Sequence, residues 1–112
     1  MEPITYQQFE KVHIAVGRIV SVHDFPEAKK PAYKLEIDFG PEIGVKWSSS
    51  MITVHYTKEV LVGQLIYAVI NFAPKQIGKF FSEVLVLGTY DAENAVIIAQ
   101  PEREVAVGSR LL

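Results

Sequence analysis

The sequence predicts a mainly β fold: a five-stranded Greek-key barrel of the OB type with short helices, formed as one domain over residues 1–112. Three observations predict it. Apolar residues recur at every second position in several runs, the runs are cut by glycine- and proline-containing turns, and a short helical stretch falls between the third and fourth of about five main runs.

Thr5-Tyr6-Gln7-Gln8 fits a capping box, so a single short helix is expected there, with Phe9 on its buried side. Residues 1–11 then form an N-terminal helical extension. From Val12 the period becomes two, with Val12, Ile14, Val16, Val20 and Val22 in phase, Arg18 interrupting, and a bulge or bend expected at Gly17. A long first strand that bends suits a barrel in which it must serve both halves.

Tyr33 to Phe39 alternates apolar and charged residues, which marks a strand with one buried and one wet face. Gly40 to Gly44 is turn chemistry. Val45 to Ile52 resumes an extended pattern with Val45, Trp47 and Met51 on a common side, and the polar run Ser48-Ser49-Ser50 on it is expected to be a solvated or ligand-facing surface. Thr57 caps a helical turn that stops at Gly63, and Gln64 to Phe72 reads as a fully buried strand. Val84–Leu87 and Ala95–Ala99 are further strands with a turn at Asp91–Asn94, and residues 101–112 form a tail whose apolar members need a cover.

Composition narrows the function. Hydrophobic residues make up 49% of the 112 and charged ones 21%, which suits a folded domain able to bury its own core. There is no cysteine, so disulfides, thiolate metal sites and cysteine nucleophiles are excluded. The first residues lack a basic region followed by an apolar one, and the longest apolar run, Leu65 to Ile70, falls far short of a bilayer span. The expectation is a cytoplasmic protein with no membrane insertion.

Catalysis finds no support. His13, His23 and His55 have no companions at metal-ligand spacing, the three serines lack a nucleophile context, and no phosphate-cradling glycine loop is present. Asp24 with Glu27, or Glu36 with Asp38, could form carboxylate pairs, but nothing sets one member in the apolar surroundings that acid–base work requires. Neither an enzyme nor a cofactor is expected.

Binding is better supported. The net charge is −2, yet Val16 to Phe80 carries eight Lys or Arg against six Asp or Glu, while the two ends carry three against seven. Within the basic middle, Phe25 to Lys34 and Asn71 to Glu83 both set lysines beside aromatic rings. Single-stranded nucleic acid is held by that combination, cations following the backbone and rings stacking on bases. The same rings could instead belong to the core; Tyr33, in phase with Leu35 and Ile37, fits the core better, and of adjacent Phe80 and Phe81 at most one should point inward.

Four ordered segments carry a resemblance: Val-Gly-Arg-Ile-Val at 16–20, Asp24 to Gly40, Tyr56 to Gly63, and Asn71 to Gly88. Together they resemble the tRNA-binding-domain family, and within it the CsaA group of small bacterial and archaeal export-related chaperones. The family also includes appendages of methionyl- and phenylalanyl-tRNA synthetases and the endothelial monocyte-activating polypeptide. The resemblance implies an OB-fold, a homodimer joined through segments outside the barrel, non-catalytic binding of tRNA by shape, and, for the CsaA group, binding of unfolded or precursor polypeptides with a possible link to export machinery.

Carried over by position, Asn71, Pro74 and Lys75 match a family segment, and Ser82-Glu83 match the serine and acidic step after it. Val84-Leu85 stand where the wider family has a Gly-Met pair, as in the CsaA group. The resemblance and the charge pattern together make Arg18, Lys29, Lys30, Lys34, Asn71, Lys75, Lys79, Ser82 and Glu83 the expected RNA-binding set. Phe72, Ile77, Phe80 and Phe81 are the expected polypeptide-binding set. Which ligand matters more is left open by the sequence.

Overall fold

The computed structural model describes all of residues 1–112. Five antiparallel strands run in the order β3 (Val45–Ser50), β2 (Tyr33–Asp38), β1 (Ile14–Asp24), β4 (Leu65–Val69), β7 (Leu85–Val86). The chain just before β7 folds back onto β3, with the Glu83 amide donating to the Trp47 carbonyl at 2.8 Å, so the sheet closes into a nearly complete barrel of the OB type. Around it lie α1 (Tyr6–Glu10), α2 (Lys58–Leu61), a hairpin of β5 (Lys75–Ile77) with β6 (Phe80–Ser82), and a hairpin of β8 (Gly88–Tyr90) with β9 (Val96–Ile98).

The long strand β1 does serve both halves: residues 14–18 pair with β4 and residues 18–24 with β2. Its irregularity, however, is at Val20 and not at Gly17, because Ile19 pairs with Ile37 and Ser21 already with Glu36. The extra residue changes the phase. Before it, Ala15 and Ile19 enter the core; after it, Val22 packs against that core, while Val20 and Val12 are exposed. A single period over Val12 to Val22 therefore does not hold, since a bulge reverses which side chains face inward.

Gly17 has a different reason to be glycine. A Cβ there would sit 2.5 Å from Ile37 Cγ2 and 2.6 Å from Phe39 Cε1, so the core packs across its bare backbone.

β2 behaves as its alternation predicts, with Leu35, Ile37 and Phe39 fully buried. On β3 the serines do not form the expected solvated patch: Ser48 and Ser50 point inward, while Val45, Trp47 and Met51 share the other side, Val45 and Met51 exposed and Trp47 half-buried. Register decides this, since Ser48 lies opposite Leu35 and Ser50 opposite Tyr33. The two hydroxyls satisfy each other at 3.0 Å, which removes much of the cost of placing them in the core.

Both helices form where their caps predict. Thr5 and Gln8 make a reciprocal capping box, and the Thr57 hydroxyl accepts from the Val60 amide at 3.2 Å. Phe9 is only half-buried, and α1 buries none of its residues. The tail lies along β1, the Leu111 amide donating to the Ile14 carbonyl at 2.9 Å.

Candidate functional site

The connection from Asn71 to Glu83 is not a plain loop: it folds into the β5–β6 hairpin, turned by Gly78 and Lys79. Gly78 has φ +63°, which suits the first central position of a two-residue hairpin turn. Two links hold this hairpin to the outside of the barrel. The Ser49 amide donates to Ser82 Oγ at 2.9 Å, and the Trp47 amide donates to Glu83 Oε1 at 3.0 Å.

Because Trp47 faces outward, it meets the hairpin. Its ring lies edge-on to Phe80 with centroids 6.1 Å apart, and Phe80 in turn lies edge-on to Phe25 at 5.2 Å. His23 tilts against Trp47 at 5.8 Å. Lys34 Nζ stands 5.4 Å from the Phe25 centroid and 5.8 Å from that of Phe80, within the range of cation–π attraction.

The hairpin separates two depressions. One, of about 460 Å³, is lined by His23, Trp47, Phe80 and Phe81 with Lys34, Lys79 and Glu83 at its margin. The other, of about 830 Å³, lies between β5 and the loop after β1 and is bordered by Lys29, Lys30, Lys75 and Ile77. Lys29, Lys30, Lys34, Lys75 and Lys79 form no ion pair, whereas Lys58 binds Asp24 at 2.9 Å and Arg103 binds Glu102 at 2.5 Å. These five unpaired lysines thus border the two depressions on either side of the hairpin.

The expected RNA-binding residues divide accordingly. The five lysines surround the hairpin. Arg18 lies elsewhere, donating to the Gly63 carbonyl at 2.8 Å and pairing with Glu104 of the tail. Asn71 spends its amide on the backbone, accepting from the His13 amide at 3.0 Å and donating to the Lys11 carbonyl at 2.8 Å. Ser82 and Glu83 fasten the hairpin, so these three polar residues build the surface more than they present it.

Of the expected apolar set, Phe72 is 57% and Phe81 52% exposed, Ile77 is half-buried, and Phe80 is held half-buried by Trp47 and Phe25. One ring of the adjacent pair points in and the other out. Trp47 and His23 were absent from the expected set. The signal was present in β3, whose alternation can be read in either phase, and only the pairing with β2 selects the one that turns the tryptophan outward.

Comparison with known proteins follows the same lines. A protein-family model described as "Putative tRNA binding domain" matches residues 14–110. The solved structure of the CsaA chaperone protein from Picrophilus torridus superposes with a TM-score of 0.92 at 48% identity, covering 98% of this chain and 100% of that one. Chaperone CsaA from Bacillus anthracis gives the same TM-score at 40% identity, covering 99% and 100%. A methionine–tRNA ligase of Thermococcus onnurineus is 30% identical over 111 residues, which is 99% of this chain but 15% of the ligase. The chain therefore spans about 15% of the length of the first curated relatives it matches.

Proposed function

The chain belongs to the tRNA-binding-domain family, and from that premise we propose that it is a non-catalytic, CsaA-like chaperone that holds unfolded or precursor polypeptides and assists their export. One observation carries the reading: the depression of about 460 Å³ in which Trp47, Phe80 and Phe81 are presented on the outside of the barrel under a margin of Lys34 and Lys79. Unfolded chains differ from folded ones in offering apolar side chains, and an exposed aromatic recess is where such side chains lose water most favourably. The likeness to two CsaA chaperones over nearly the whole of each chain supports the same assignment.

Its site of action is the cytoplasm, ahead of the export machinery. No helix of the structure is long and apolar enough to cross a membrane. The working form is a homodimer joined through the N-terminal extension, residues 1–11, and the tail, residues 101–112. Tyr6 is 67% exposed on a helix that buries nothing in its own protomer, and Ile4, just ahead of that helix, is equally exposed, which supports that contact.

The five unpaired lysines favour a second reading, in which tRNA is the main ligand and is gripped through phosphates. The two readings separate by salt. Phosphate-driven binding falls steeply as salt rises, whereas binding by apolar burial does not. Aggregation of an unfolded client should be suppressed equally at low and moderate salt by the parent protein and poorly by Phe81→Ser. Full protection by a folded Phe81→Ser variant, with strongly salt-sensitive tRNA binding, would give the assignment to the second reading.

A further inference from the structure

β5 is an open edge. Ile77 and Phe80 close the two-residue turn and so form a hydrogen-bonded pair, which makes Gln76 and Phe81 a pair whose main-chain groups point away from each other. The outward N–H and C=O of Gln76 therefore lack a strand beside them. None of the backbone hydrogen bonds outside the regular ladders involves residues 72–82.

That edge does not face open solvent alone. Lys75, Gln76, Ile77 and Gly78 form one wall of the groove of about 830 Å³, Met51 and Tyr90 contribute exposed apolar surface to it, and Lys29 and Lys30 border it. Lys29, Lys30 and Lys75 are exposed and form no ion pair. A free strand edge, an apolar lining and three lysines without an ion pair, with Glu27 as the one acidic residue, occupy one groove.

We propose that a client polypeptide is captured here by β-augmentation: an extended segment with apolar residues alternating with Asp or Glu adds to the β5 edge through Gln76. Its carboxylates meet Lys29, Lys30 and Lys75. This rests on the polypeptide-binding reading and adds a second client contact, in the groove across the hairpin from the aromatic recess, with its own mode and sequence preference. Main-chain pairing supplies affinity independent of client sequence, as a chaperone needs, and the side chains on either face supply selectivity. β5 has three residues, so the paired segment is about 10 Å long at the rise of a strand. An unpaired edge in a groove lined with lysines is also guarded against pairing with a second copy of itself, since like charges would meet.

The test uses the full-length protein and two unstructured nine-residue peptides, one alternating apolar residues with Glu and one alternating the same apolar residues with Lys. The Glu peptide should bind at least about tenfold more tightly, and at saturation the amide hydrogen of Gln76 should exchange about tenfold more slowly by NMR. Replacing Lys29, Lys30 and Lys75 by Glu, at sites where no internal partner is lost, should reverse the preference between the peptides. Peptide binding without slower exchange at Gln76 would overturn the proposal while leaving the chaperone reading intact. Failure of both peptides and of a full-length unfolded client to bind would overturn both. If tRNA alone titrates the groove and the lysine reversal abolishes only that complex, the groove is a phosphate site and the proposal falls.

Discussion

Gly17 shows how tightly one position can be set by its surroundings. With a Cβ placed 2.5 Å from Ile37 Cγ2, Gly17→Ala must displace Ile37 or Phe39, both fully buried. It should cost roughly 1–3 kcal/mol by urea denaturation. Asp91 shows a subtler constraint. The Ala95 amide first, then the His55 side chain and the Glu93 amide, hold its carboxyl below its ordinary range. A carboxyl with a lowered folded value contributes stability above its unfolded value and loses it as pH falls through the folded one. Melting midpoints measured from pH 6 down to about pH 2 should fall more gently for Asp91→Asn than for the parent. At the hairpin, Lys75→Glu with Lys79→Glu should weaken tRNA binding at low salt by at least about tenfold and reduce its salt slope by about two, read by fluorescence anisotropy. Neither lysine has an internal partner, so the melting temperature should stay unchanged.

Elements were legible in the sequence to the degree that their signals were local. Both helices followed from caps, Thr5 with Gln8 and Thr57, and β2 followed from clean alternation. What failed depended on neighbouring strands. The bulge at Val20 is defined only by the β1–β2 register, and the phase of β3 only by its pairing with β2, which turns Ser48 and Ser50 inward where a solvated or ligand-facing patch is expected. The candidate surface inherited that limit: its lysines and Phe81 were visible as exposed types in a turn-rich stretch, whereas Trp47 and His23 came into it through register. Conversely, Asn71 was legible as a notable residue but not as a brace. Its amide ties the segment before β1 to the end of β4, so Asn71→Ala should cost about 1–2 kcal/mol without touching the lysine cluster. Equal tRNA affinity for that variant and the parent, alongside the stability loss, would confirm the separation.

Across the whole molecule, two regions carry separate roles. One carries the hairpin, the five unpaired lysines that border it and the two depressions. The other brings α1 and the tail together, Arg110 Nη2 donating to the Glu10 carbonyl at 2.5 Å beside the bridge of Arg110 with Ala15. Deleting residues 1–11 should convert the proposed dimer to a monomer in light scattering after size-exclusion chromatography, and a parent protein that is already monomeric at micromolar concentration would remove the dimer from the account. The central claim, that the outer aromatic recess receives polypeptide, can be read directly because Trp47 is the chain's single tryptophan and lines that recess. The decisive measurement is a titration of its fluorescence with an unfolded client that contains no tryptophan. The account predicts a saturable blue shift that persists at moderate salt and is lost in Phe81→Ser. Client binding detected by light scattering with no change in Trp47 emission would contradict it.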